Sequence, residues 1–380
     1  MTSTARFLVP ALVILAAPLS MGQARITSVP IAEGFTSAAL LSTSHHGSDL
    51  YTGRWFAPGG VTQSFLLSPT RGLIDLPSDV PGDVRIFDIS RDARTLVGTV
   101  NGTPYRWVDG GPGQPIPLPD NTRLEGGIRV APDGEIAFGL ADLNLPTTDS
   151  DDEGVVSIWN PGTGQHREIF RRGDWIIRST MAPFSPNGRF LGGLLGDSVA
   201  YRAYVFDRDL DTDARQLSNA PGSSQFQGIT HINSSSQATG ESRNLTRGTA
   251  WVWDGADGYT RPDTVVNASA SLGWISEDGS MIAGSQTVNC VRSATFWIDG
   301  VRIDAADYFE STYGLDLDGW TLTSVSEGSA NGLSYFGLGV DPDGRSTSWI
   351  VTVPGPASAT SLALFIAVAA RRSRRLDPIL

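Results

Sequence analysis

The chain has 380 residues, 40% of them hydrophobic and 18% charged, with 43 glycines and 23 prolines. That balance suits many short strands joined by tight turns and excludes a helical bundle or a long disordered chain. All 28 basic residues are arginine, so no lysine is present for Schiff-base chemistry, and the formal net charge is −12; nucleic-acid binding, which draws on cationic side chains displacing counterions from phosphate, is not expected.

Residues 1–24 read as a secretory signal peptide. One arginine precedes an apolar run from Phe7 to Leu19, and the small residues Gly22 and Ala24 follow it, with cleavage expected after Ala24. Pro10 and Pro18 disfavour a regular helix or strand of the fold in the same stretch. Without the two terminal segments, which hold five arginines and one aspartate, the remaining chain is more acidic, about −16.

Residues 25–353 carry a repeat of about 45 residues. Each unit has an apolar residue, a turn, an apolar strand ending in glycine, a variable loop and an aromatic-rich strand. Ile89-Ser90 leads to Leu96-Val97-Gly98 and Tyr105-Arg106-Trp107, and Val130-Ala131-Pro132-Asp133-Gly134 leads to Ala137-Phe138-Gly139 and Ser157-Ile158-Trp159. The same order recurs from Phe184, Ile232, Ile275 and Val325, and a blurred first unit spans Leu41 to Leu76. Asp133-Gly134, Asn187-Gly188 and Asp278-Gly279 precede the second strand, and Asp109-Gly110, Asp254-Gly255 and Asp299-Gly300 follow the aromatic strand. Such pairs tolerate positive φ and fit primed hairpin turns.

Each unit therefore reads as four short antiparallel strands that cannot bury both faces alone. The fold class expected is all-β: a β-propeller of seven blades, within a range of six to eight, in which the recurrent aromatics fill the gaps between neighbouring sheets. Two stacked sandwiches would not explain one uniform period, and a β-helix would have shorter coils. One segment breaks the pattern. Asp304 as N-cap, aromatic residues at helical spacing through Tyr313 and a closing Gly314 predict a single short helix.

Residues 354–380 form a patterned tail. Val353, Pro354 and Pro356 mark a break, about 14 small and apolar residues follow, and Arg371, Arg372, Arg374 and Arg375 close it. The apolar stretch is short for a spanning helix, and the arginines would lie on the cytoplasmic side. The tail resembles the PEP-CTERM sorting signal of bacteria, although Gly355 stands where that signal usually has glutamate. The resemblance implies processing by an exosortase-type machinery and membrane contact before processing.

The units themselves resemble the extracellular HAF-repeat proteins of bacteria. The resemblance rests on Ile-Ser-x-Asp-Gly, apolar-x-Gly and Ala/Thr-Phe-x-Trp at Ile275 to Trp297, and on the late segment from Gly314 to Leu322. It covers about Ala39 to Val353 and departs at Arg91-Asp92-Ala93 and Ser234-Ser235-Ser236, where Asp-Gly is expected. It implies an exported, propeller-like protein and supplies no catalytic residue.

The search for chemistry is mostly negative. The lone Cys290 cannot form an intramolecular disulfide and reads as a packed or idle thiol. His45 and His46 are adjacent, so on a strand they would face opposite sides and chelate poorly; His231 reads as a packed histidine. Asp149, Asp151 and Glu153, followed by Gly154, resemble the start of a calcium loop, but position twelve is Asn160 instead of glutamate. Solvated loops explain this run and the alternating carboxylates from Asp207 to Asp213 equally well. No catalytic residue, cofactor other than this calcium candidate, serine elbow, phosphate loop or zinc helix is expected.

The expected function is an exported cell-surface or matrix-associated role, non-catalytic and binding or structural, with a glycan or surface protein as ligand. The alternative is a secreted propeller hydrolase or lyase acting on polysaccharide, since the spacing of a carboxylate pair is set in space and not in sequence. Convergent carboxylates or histidine in the central channel would favour the enzyme, and a plugged channel would favour binding.

Overall fold

The sequence repeat is a repeat of sheets in the computed structural model. It describes residues 23–354 apart from 44–49, 75, 77–81, 143–152, 173–182, 197–200, 211–213, 219, 221–225, 244–247, 257, 266–267 and 330. Seven antiparallel sheets follow one another as the blades of a seven-bladed β-propeller. Blade 1 consists of Ser37–Thr43, Tyr51–Phe56, Thr62–Ser68 and Gly72–Ile74, paired in that order. Blades 2 to 7 occupy residues 84–115, 122–172, 184–216, 226–260, 269–304 and 321–352. The blurred first unit is thus a full blade. In blade 4 the innermost position is represented by a single bridge, Phe184 to Leu191.

Blade 7 has a different origin for its outermost strand. The chain's first described strand, Arg25–Ser28, pairs antiparallel with Ser346–Thr352, Arg25 opposite Thr352 and Ser28 opposite Trp349. The two ends of residues 24–353, one compact unit, therefore meet in one sheet and close the ring.

The hydrophobic core is distributed between blades. Seven apolar clusters each join two consecutive blades, for example Val156, Ile158 and Phe170 of blade 3 with Leu191, Tyr204 and Phe206 of blade 4. The last joins Phe336 and Ile350 of blade 7 to Leu40, Tyr51 and Phe65 of blade 1. The repeated aromatics lie here, and Trp107, Trp251, Trp297 and Trp349 are fully buried. At about 25 cal/mol per Å² of apolar surface removed from water, these rings are the main gain from closing the circle.

The glycine that ends each second strand has a steric cause. In blades 1, 2, 5, 6 and 7 the inner strand carries a β-bulge at Leu41, Phe87, Thr230, Gly273 and Ser326, where two residues oppose one on the partner strand. Gly53, Gly98, Gly240, Gly284 and Gly337 pair with the residue just before each bulge. A Cβ there would collide with the carbonyl oxygen of Ala39, Arg85, Gly228, Ser271 or Ser324. An aromatic ring from the third strand covers the same spot, Phe65 over Gly53, Trp251 over Gly240 and Trp349 over Gly337.

The turns divide into two kinds, against the single primed type expected. Asp109-Gly110 and Asp299-Gly300 have positive φ at both residues, as a type I′ turn requires. At Asp133-Gly134, Asn187-Gly188 and Asp278-Gly279 only the glycine does, because these hairpins have three- or four-residue loops. In the longer form a serine closes the loop. Ser276 Oγ donates to Asp278 Oδ1 at 2.6 Å and accepts from the Met281 N–H at 3.0 Å. Ser90, Ser185 and Ser329 do the same with Asp92, Asn187 and Asn331. Ala93 and Ser236, where glycine was expected, take its left-handed conformation at φ 58° and 61°.

The predicted helix is present as α1 (Ala305–Tyr313). The Asp304 carboxylate accepts from the Ala306 N–H at 2.9 Å, and Gly314 ends the helix at φ 63°. Phe309 is buried against Phe296, Tyr335 and Trp349, so α1 seals the gap between blades 6 and 7.

Gly284→Ala should lower the unfolding free energy by about 1–3 kcal/mol, since the inner strand cannot retreat without opening the channel wall; urea denaturation reads this directly. Ala93→Gly should do the reverse. Relief of the left-handed strain, less the entropy of a freer unfolded chain, leaves a gain of about 0.5–1 kcal/mol in the same measurement.

Candidate functional site

The five aligned bulges aim one residue of each inner strand at its neighbour. Aligned by their turns, the residues next to the end of the inner strands are Ser42, Asp88, Arg129, Pro183, His231, Trp274 and Glu327. This column forms a ring around the axis near one end of the channel. Ser42 Oγ donates to Asp88 Oδ1 at 2.7 Å, and the Val130 N–H of blade 3 donates to Asp88 Oδ2 at 3.0 Å. Arg129 Nη1 donates to the carbonyl of the bulge residue Phe87 at 3.2 Å. The His231 and Trp274 rings are 6.4 Å apart, and Trp274 meets Tyr335 of blade 7 edge-on at 5.9 Å.

These groups are inside the protein. Asp88, His231 and Glu327 are 3%, 2% and 6% exposed. Burial raises the proton affinity of Asp88, opposed by Arg129 and by the hydrogen bonds from Ser42 and Val130. Burial holds Glu327 well above the usual carboxylate range; the negative charge of Asp88 adds to the rise and Arg129 opposes it. The ring is thus a set of blade-to-blade ties with Arg129 between two carboxylates.

Beyond the ring, on the face of the first hairpin turns, Arg91 of blade 2 bridges to other blades. Its Nη1 donates to the Pro186 carbonyl on the matching turn of blade 4; burial lowers the proton affinity of its guanidinium, and the Glu277 charge on the turn of blade 6 opposes that fall. Ser234 N–H holds Glu277 Oε2 at 3.2 Å. Arg91 thus links the turns of blades 2, 4 and 6 at this end of the channel.

Toward the opposite end the described residues leave open space. A cavity of about 460 Å³ lies between the inner strands of blades 5, 6 and 7, with Arg129 at its floor. Its wall is made of Gly228, Thr230, Ser271, Gly273, Ser324 and Ser326, with Glu241, Ser285 and the exposed Arg292 beside them. Neither Asp88, Glu327 nor His231 lines it. The cavity lies in the size range of small-ligand sites, and Phe226, Ile229, Leu272, Val325 and Leu338 set apolar surface among its hydroxyls.

The residues singled out in the sequence lie elsewhere. Asp149 and Asp151 fall outside the described residues; Glu153 begins the third strand of blade 3, opposite Asp142. Among the described residues no group of three His, Cys, Asp or Glu is placed to hold a metal ion. Of the tail, Val353 is buried, with its N–H donating to Leu333 O at 2.9 Å, and Pro354 is the last residue described. Pro356 and Arg371, Arg372, Arg374 and Arg375 lie outside, as do His45 and His46. Among the described residues no helix is long and apolar enough to cross a membrane. Cys290, read as packed or idle, is exposed at a hairpin tip. Asp207 is committed to a two-pronged ion pair with Arg189, at 2.9 and 2.7 Å.

The axial ring was missed in the sequence. Its signal was available as a column, since aligning the units on their turns places Asp88, Arg129, His231, Trp274 and Glu327 at one position. Nothing in that column is periodic in chemistry, so it attracts notice only once the position is known to face the axis.

The fold defines a seven-bladed propeller with a cavity between the inner strands of blades 5, 6 and 7. No protein-family model matches the chain, and no curated protein matches it in sequence. Among solved structures it is similar to an oligogalacturonate lyase in complex with manganese, with a TM-score of 0.53 and 11% identity over 83% of this chain and 91% of that one. It is also similar to prolyl oligopeptidase B of Galerina marginata (TM-score 0.53, 12% identity, 81% of this chain and 48% of that one). A dipeptidyl peptidase 4 of Porphyromonas gingivalis aligns at TM-score 0.49 and 10% identity, over 76% and 47% of the two chains. The chain spans about half the length of these two peptidases. At such identities the likeness is one of fold alone.

The raised proton affinity of Glu327 has a pH signature. A carboxyl that holds its proton more tightly when folded contributes most below its unfolded value. That contribution falls as pH rises through the folded value. Asp88 acts in the same direction. Glu327→Gln should therefore flatten part of the loss of unfolding free energy between acidic and neutral pH, measured by urea denaturation across that range; an unchanged slope would remove Glu327 from the account.

Proposed function

We propose that this protein is an exported, cell-surface or matrix-associated propeller that holds a ligand in its axial cavity without transforming it. The observation that carries this reading is the burial of the axial carboxylates and imidazole. Asp88 and Glu327 converge, but they and His231 are sealed from solvent, and none lines the cavity. General acid–base chemistry needs its groups within hydrogen-bond reach of the substrate. Export is supported by the patterned ends: the apolar run from Phe7 to Leu19 and the tail from Val353 to Arg375, which resembles a signal read by exosortase-type machinery. The HAF-like units and the acidic charge fit the same setting.

A secreted hydrolase or lyase is the second reading, favoured by the convergence of two carboxylates with raised proton affinity beside Arg129. Full-length protein incubated with polysaccharide from the producing cells distinguishes the two. Retention of polysaccharide with no new reducing or unsaturated ends is expected. Turnover that disappears in Glu327→Gln would replace the binding reading with the enzymatic one.

A further inference from the structure

The axial cavity has the chemistry of a hydroxyl-rich ligand. Its hydroxyls are already oriented. Ser324 Oγ accepts from the Leu338 N–H at 3.3 Å and Ser285 Oγ accepts from Arg292 Nε at 3.0 Å, which leaves each O–H to donate. Thr230 Oγ1 faces Thr239, 3.2 Å from its carbonyl, and retains lone pairs to accept. The inner strands are the edges of their sheets, hydrogen-bonded to a strand on one side only, so the wall also presents backbone donors and acceptors, as any sheet edge does. The lining therefore mixes donors and acceptors at short spacing, as a sugar ring does.

The charge balance argues against an ion. Arg292 at the mouth is matched by Glu241, and Arg129 at the floor lies in the field of Asp88 and Glu327. An acidic protein also repels anions at long range. The shape argues for a terminus. Arg129 of blade 3 reaches across to the floor of the cavity, and beyond it Arg91 of blade 2 reaches the turn of blade 4, so the cavity ends there and a chain enters it by an end.

We infer that the cavity binds the end of a neutral oligosaccharide, taking in the terminal sugar units and leaving the rest of the chain outside. This rests on the ligand-holding reading above and deepens it by naming the ligand class and the mode of entry.

The test is titration calorimetry on the full-length protein. The probes are linear malto-, cello-, xylo- and manno-oligosaccharides from disaccharide to hexasaccharide, with β-cyclodextrin as a sugar ring that has no ends. At least one linear series should bind with an affinity that stops rising after the first few units, while the cyclic sugar gives no heat. Ser326→Trp, which fills the cavity, should weaken binding by about tenfold or more. Ser271→Trp does the same from blade 6 and serves if the first variant fails to fold, with the melting temperature as the check on folding. The inference is overturned by a silent neutral panel, by equal binding of the cyclic sugar, by affinity that keeps growing with length, by full affinity in a folded cavity-filled variant, or by binding of uronate oligosaccharides or peptides instead. If the producing cells' polysaccharide is still retained in any of these cases, the holding reading stands and only the end-binding claim falls; if that retention is absent as well, both fall.

Discussion

The structure depends on one close backbone contact repeated around the axis. In five blades the inner strand bulges by one residue, and the carbonyl two residues before the bulge presses on the second strand where only a hydrogen atom fits. The aromatic ring of the third strand then closes over the same glycine in three of them, in blades 1, 5 and 7. One contact thus fixes three things: the curvature of the inner strand, the seat of an aromatic ring and the direction of the side chain after the bulge. Side chains aimed in this way join blades 1, 2 and 3, and blades 5, 6 and 7.

Those ties separate the two halves of the channel. Near the turn end, Ser42, Asp88 and Arg129 hydrogen-bond to one another's blades, and His231 packs on Trp274, at the cost of burying the two carboxylates Asp88 and Glu327. A charge removed from water is tolerated when it is hydrogen-bonded and compensated, or when it takes up a proton, and the raised proton affinities of Asp88 and Glu327 reflect that second route. At the other end the residues before the ring are Thr230, Gly273 and Ser326, small enough to leave a cavity instead of a plug. Asp88, His231 and Glu327 therefore lie at a different level of the channel from the cavity, whose own charged groups are Arg129, Glu241 and Arg292.

Closure of the ring is shared between a sheet and a helix. The strand Arg25–Ser28 completes blade 7 from the opposite end of the repeat region, and α1 places Phe309 in the gap between blades 6 and 7. A solenoid would need capping residues at its ends, and a circle needs only that its first and last blades meet. The seven apolar clusters, one for each gap, express that condition in packing.

Local chemistry made much of this legible in the residues alone. The period, the glycine ending each second strand, the buried tryptophans, the Asp-Gly turns and the Asp304-to-Gly314 helix all follow from steric and hydrogen-bonding preferences within a few residues of one another, so the residues alone carried a propeller of six to eight four-stranded blades, while the count of seven and the pairing of Arg25–Ser28 into blade 7 came from the closed ring. It did not determine where Asp88, Arg129, His231 and Glu327 would meet, because those residues are separated by whole blades and come together only through the curvature of a closed ring. The hairpin loops misread as primed turns are a smaller case of the same kind, since their length depends on the register of the partner strand. That Asp88 and Glu327 are buried, and that the open space lies beside hydroxyls, emerged with the closed circle, because burial and convergence are properties of the circle and not of any one repeat.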